Sequence, residues 1–196
     1  MKSTLTTILA FTFLTSAAQA KEDDRKVDDR AERLDAGETV VRAKGTGNKR
    51  EVEVAALFTS APEKIWDLIH DCNRYEKTML RIKESKEVSR EGGKIRCRTV
   101  VDMPWPMKPL TSLNEAKLTV QPGKKWKREW KLVEGDFVIN EGSWTITPHT
   151  DNKRMLVVYR SKTQPKAEIP EELRNMAQRV ELPKLFRHLK TQLSEE

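Results

Sequence analysis

On the segment Lys-Trp-Lys-Arg-Glu-Trp-Lys-Leu (residues 125–132) two-residue alternation puts Trp126, Arg128, Trp130 and Leu132 on one side and Lys125, Lys127, Glu129 and Lys131 on the other. One face is aromatic with a single embedded cation, and the other is fully charged. If the aromatic face is turned inward, Arg128 has two possible roles. It is paired within the scaffold, with the tryptophans as core, or it offers a polar contact to the head group or carboxylate of a bound molecule. The same alternation groups Trp144 with Ile146, and Met155 with Val157 and Tyr159. Near the C-terminus Leu173, Met176, Ala177 and Val180 form one helical stripe. Trp126, Arg128, Trp130, Trp144, Met155, Tyr159, Met176 and Val180 are therefore the expected lining of a binding cavity. Aromatic and methionine side chains give large, adaptable contact area for an elongated apolar guest.

A search for bond-making chemistry returns no candidate. The chain has three histidines. His70 falls on the wet side of a predicted helix, His149 in a loop and His188 among charged residues, none beside a nucleophile. HExxH, GxSxG, CxxC and P-loop spacings are absent from the sequence. No catalytic residue, metal ligand or cofactor is assigned. The two cysteines, Cys72 and Cys97, lack companions for a metal site, and either form a disulfide or pack as small buried residues.

The elements that must hold these residues are mostly strands. Residues 38–43, 50–58, 82–89, 94–103, 113–120, 125–133, 137–147 and 155–162 carry alternation or short apolar runs, separated by turn-rich sets such as Glu91-Gly92-Gly93, Gln121-Pro122-Gly123 and Glu134-Gly135-Asp136. Of these eight segments, six or seven are expected to join as strands of an antiparallel meander with one wet face, long enough to curl. Between the second and third segments lies Ser60-Ala61-Pro62-Glu63, which reads as a capping box. It opens a short amphipathic helix with Ile65, Trp66, Leu68 and Ile69 inward, and a second helical turn follows near residues 74–79. After Pro170 the period becomes helical to the end. The Leu173 stripe and a second stripe of Leu182, Leu185, Phe186, Leu189 and Leu193 lie on nearly opposite sides, so a kink or break at Pro183 is expected between them.

The termini and composition set the context. Residues 1–20 have one lysine, an apolar run and Ala18-Gln19-Ala20 before a charged stretch, the layout of a secretory signal cleaved after Ala20. Export, to a periplasm or outside the cell, follows as an expectation, as does an environment that permits a disulfide. Residues 21–36 form a charged leader, expected to be frayed or partly helical, poorly ordered overall and outside the core, and residues 37–194 a single domain. Lysine and arginine number 37 against 30 acidic residues, a net charge of +7, but both signs are interleaved. That scatter argues against nucleic acid as a partner and is compatible with transient contact with an anionic membrane surface. A monomer is expected.

The run Ala61-Pro62-Glu63-Lys64-Ile65-Trp66-Asp67-Leu68-Ile69 after a strand, followed by Asp71 and Tyr75, resembles the opening of the START-like (SRPBCC) superfamily. That group includes START lipid-transfer domains, coenzyme-Q-binding and polyketide-cyclase-like proteins and the plant Bet v 1 type. Met103-Pro104-Trp105-Pro106 is similar to the Pro-Trp-Pro loop of many bacterial START domains, although Pro109-Leu110-Thr111 replaces the Arg-Asp pair that follows it there. Ile169-Pro170 opening the last helix is a third match. The resemblance spans residues 38–193 and implies an α+β helix-grip fold, a curved sheet wrapped around a long C-terminal helix. It also implies a hydrophobic small molecule or lipid held between them, bound and in some relatives transported. Two alternatives share the scaffold: an enzyme of the cyclase, aromatase or dehydratase kind, and a protein with a filled cavity that acts through surface contacts.

Overall fold

The computed structural model describes residues 29–194. The expected signal segment, its cleavage after Ala20 and the first part of the charged leader lie outside the described residues. The strands are β1 (Val40–Lys44), β2 (Arg50–Phe58), β3 (Ile82–Glu91), β4 (Lys94–Val101), β5 (Leu110–Gln121), β6 (Lys125–Gly135), β7 (Phe137–Pro148) and β8 (Met155–Pro165). They form one antiparallel sheet in the order β1-β2-β8-β7-β6-β5-β4-β3. The sheet thus has eight strands rather than six or seven. The short segment before β2 pairs with it along its whole length, Val40 opposite Ala55 through Lys44 opposite Glu51, and so adds an edge strand. Register shifts in β3–β4, in β5–β6 near Leu113 and in β7–β8 near Phe137 mark where the long strands bend.

Residues 29–35 are helical (α1), and the burial of Leu34 corrects the expectation that this part of the leader lies outside the core. Leu34 is buried against Val40, Ala55, Leu57 and Val158. Ala55 and Leu57 point to the outer face of β2, the side away from Val54 and Ala56, so an apolar patch there needs a cover. Ion pairs hold the helix down: Arg30 to Glu53 at 2.8 Å and Asp35 to Arg154 at 2.6 Å.

Helix α2 (Pro62–Ile69) buries Ile65, Trp66, Leu68 and Ile69, as the stripe predicts. The capping box does not form. The N-cap is Ala61, held extended (φ −56°, ψ 143°) by the proline after it, so Ser60 lies one position too early to reach the free N–H groups. A short 3-10 turn (Cys72–Arg74), capped by the Asp71 carboxylate accepting from Asn73 N–H, leads into α3 (Tyr75–Thr78). The pairing of the cysteines, open in the sequence, is settled by the fold: Cys72 and Cys97 are disulfide-bonded, tying that turn to β4 across a Cα separation of 6.3 Å.

The terminal segment consists of α4 (Glu171–Met176), a π turn (Ala177–Glu181) and α5 (Leu182–Ser194). The phase change comes before Pro183, not at it. Proline in an α-register would drive its ring into the carbonyl four residues back, and widening the preceding turn to i→i+5 bonding, seen in Leu182 N–H to Ala177 O, relieves that clash and adds one residue to the turn. Beyond it Phe186, Leu189 and Leu193 lie on the concave face of the sheet. Phe186 is fully buried, its ring 6.1 Å from Phe58 and 5.6 Å from Trp144. Each such side chain contributes about 1.5–3 kcal/mol by leaving water.

Candidate functional site

Over β6 and β7, in the middle of the sheet, the inward side chains are largest, and the interior is closed. Trp126 and Trp144 are core residues packed with Phe58, Ile146 and Phe186. Trp130 lies along β7, its indole N–H donating to Asn140 Oδ1 at 3.2 Å, and fits only because position 142 is glycine. Tyr159 closes the cluster, 5.9 Å from Trp130 and 4.6 Å from Trp144. Burial pushes its hydroxyl, like that of Tyr75, above the usual tyrosine pKa, so both rings stay neutral far into the alkaline range.

Arg128 lies inside this closed region at 4 % exposure. Its guanidinium lies 5.4 Å from the Tyr75 ring and 5.8 Å from that of Trp130, and Nη2 donates to Cys97 Sγ at 3.7 Å. Two aromatic faces stand where a carboxylate partner would be expected. Its Nε–H has no acceptor among the described residues.

The open space is elsewhere, under α4, the π turn and the start of α5. It is a cavity of about 370 Å³, within the range of small-molecule sites (roughly 300–1,000 Å³). Its apolar wall includes Leu80, Val101, Met103, Leu110, Phe137, Ile169, Leu173, Met176, Leu182 and Leu185. Its polar groups come from Arg50 and Thr163 at the end of β2 and β8, Asn140, Tyr159 and Ser161 on the sheet, Arg174 and Glu181 on the terminal segment, and an Arg81–Asp102 pair at 3.8 Å. Of the residues expected to line the site, Tyr159 and Met176 do. Trp126, Arg128, Trp130, Trp144 and Met155 do not, and Val180 is turned out to 51 % exposure by the π turn. Arg50 and Arg174 were missed. The first shares the inward phase of Val52 and Val54, and the second adjoins Leu173, so both were readable from periodicity once the cavity's end of the sheet was known.

None of the three histidines lines the cavity. His70 Nδ1 is 2.9 Å from Trp66 O, His149 Nε2 is 3.2 Å from Asp35, and His188 Nε2 is 3.1 Å from Lys77 O. Among the described residues no cluster of histidine, cysteine and acidic side chains has metal-binding geometry, and no helix is long and apolar enough to cross a membrane. A larger groove of about 880 Å³ runs over the outer face of the sheet. Its walls carry cross-strand ion pairs, Lys44–Glu51, Lys162–Glu141 and Lys94–Glu115 among them, which compensate one another.

At the mouth of the apolar cavity, the loop between β4 and β5 anchors itself with Met103 and Met107 against Leu110, Phe137 and Ile169. Trp105, at its tip, is 92 % exposed.

A curved antiparallel sheet, two short helices after its second strand and a long terminal helix over an apolar cavity define the START-like helix-grip class. The chain belongs to the family described as "Polyketide cyclase / dehydrase and lipid transport", which residues 60–190 match. Among solved structures it is similar to a fragment of the STAR-related lipid transfer protein from Xanthomonas axonopodis (17 % identity, 79 % of this chain and 92 % of that one, TM-score 0.65). Human StAR-related lipid transfer protein 5 aligns over 92 % of this chain and 98 % of its own at 13 % identity and TM-score 0.65. The Zhui aromatase/cyclase from Streptomyces sp. R1128 aligns over 75 % and 94 % at 15 % identity and TM-score 0.58. At these identities the likeness is one of fold. No curated protein matches the chain.

Proposed function

We propose that this protein binds a lipid or other hydrophobic small molecule in the cavity beneath its terminal helix, and carries it in an exported compartment. The observation that supports this most directly is the half-open apolar cavity of about 370 Å³, walled by Met103, Phe137, Leu173, Met176, Leu182 and Leu185. Removing a guest's apolar surface from water supplies the driving force, about 25 cal/mol per Å². The Cys72–Cys97 disulfide supports an oxidising location, because such bonds persist where thiols are not kept reduced.

Native mass spectrometry of protein recovered from that compartment, followed by lipid extraction, tests the reading. Wild-type protein is expected to carry a lipid, and Met176→Trp, which fills the cavity from a half-buried position, is expected to come out empty with a melting temperature within a few degrees of wild type. Wild-type protein that is always empty and binds no hydrophobic probe would sink the proposal.

Delivery requires contact with a membrane, and Trp105 is suited to it. An exposed indole on a loop beside the cavity mouth, next to exposed Lys108, matches the apolar and anionic layers of a lipid surface. Trp105→Ala is expected to lower binding to phosphatidylglycerol-containing vesicles severalfold in a co-sedimentation assay, without change in stability. Unaltered binding assigns the membrane contact, if any, to another surface.

A further inference from the structure

The cavity is not uniformly apolar, and its polarity is lopsided. Arg50, at the start of β2, donates from Nη1 to Gly45 O at 2.6 Å, and no carboxylate pairs with it among the described residues. Its Nε–H is buried and lacks an acceptor among the described residues. Arg174 lines the same end of the cavity. Its side chain is 12 % exposed, and Nη1 is shared among Asn48 Oδ1 at 3.2 Å, an ion pair with Glu168 at 3.1 Å and the Ile169 carbonyl, while its Nε–H is buried without an acceptor among the described residues. The turn between β1 and β2 touches both: Gly45 holds one guanidinium, and Asn48 holds the other while also accepting from Ile169 N–H at 3.0 Å. The remaining charges on the wall lie differently. Arg81 is neutralised by Asp102, and Glu181 sits seven residues beyond Arg174, about 10 Å along a helix.

Arg50 and Arg174 therefore bring two guanidinium groups to one end of an otherwise apolar cavity, with Glu168 as the carboxylate partner of one of them. A sterol or a hydrocarbon would leave that excess of positive charge unbalanced. An oxyanion balances it, through charge-assisted bonds that a guanidinium is shaped to give. We propose that the guest is an anionic amphiphile, an apolar tail ending in a carboxylate or phosphate, with its head held by Arg50 and Arg174 and its tail running toward Leu182 and Leu185. This rests on the cavity-binding reading above and specifies it.

The test compares three probes of equal tail length, dodecanoate, dodecyl phosphate and dodecanol, on the full chain by calorimetry. At least one of the two anions is expected to bind about tenfold or more tighter than the alcohol. In the Arg50→Gln/Arg174→Gln variant that advantage should vanish while the affinity for dodecanol stays, and the retained alcohol binding shows that the cavity still folds. Which anion binds more tightly identifies the head as carboxylate or phosphate. Should the double variant not fold, wild type alone decides: dodecanoate binding should fall as pH drops through its carboxyl pKa, with dodecanol unaffected. Acid and alcohol bound equally overturns the head-group assignment and leaves the cavity reading intact. Failure of all three probes to bind overturns both.

Discussion

Gly142→Ala is expected to destabilise the protein by about 3 kcal/mol, lowering Tm by roughly 6–12 °C for a domain of this size. A Cβ at this position would lie 2.2 Å from the Arg160 carbonyl on β8 and 2.5 Å from Cζ2 of Trp130 on β6. The first is backbone in a central strand, with hydrogen-bonded neighbours on both sides, and cannot move away without loosening the ladder. The second is an indole fixed by its bond to Asn140 and its contact with Tyr159. Chemical denaturation measures the loss. Trp130→Ala in the same chain should recover only the part due to the ring, since the carbonyl contact remains. A cost below about 1 kcal/mol would mean that β7 and β8 part easily here, which the register between them contradicts.

Removal of the disulfide is the second large effect. The bond closes a loop with a sequence separation of 25, and the chain-entropy argument gives about 3.5 kcal/mol for a loop of that length. The double variant Cys72→Ala/Cys97→Ala, or wild type unfolded under reductant, should show a correspondingly lower denaturation midpoint. Equal midpoints in oxidised and reduced protein would remove the bond from the list of stabilising features. Arg128 adds a local cost, because Cys97 Sγ is the acceptor that its Nη2 has found inside the core. Without that sulfur a buried guanidinium keeps only its two aromatic neighbours.

What was legible in the sequence was whatever a two-residue or 3.6-residue period can express. The strand positions, the inward set Trp126, Arg128 and Trp130, the buried stripe of α2 and the Leu185–Leu193 stripe of α5 all follow from side-chain phase alone. Phase does not say how far the opposing layer stands off. The tryptophans were the natural choice for a cavity wall because they are large and adaptable, but size is also what lets them meet Phe186 and close the space. Room is left where the inward residues are smaller, Ser161, Thr163 and Val52, and where the terminal segment bridges them. The packing of helix α1 onto the sheet was hidden for a related reason. Its one leucine is unremarkable in a charged leader until Ala55 and Leu57, on the outer side of β2, are seen to lack any other cover. The capping box failed on a single detail: a proline at the first helical position moves the cap to Ala61.

The π turn bears on how a guest gets in. Met176, Ala177, Gln178, Glu181 and Leu182 belong both to that turn or its ends and to the wall of the cavity. Backbone bonding is poorer in a widened turn than in the α-helical stretches either side of it. The sheet is locked by continuous ladders, and α5 is pinned by Phe186, Leu189 and Leu193. The least costly way to enlarge the entrance is therefore a hinge within these five residues, swinging α4 aside while the strands and the pinned end of the final helix stay in place.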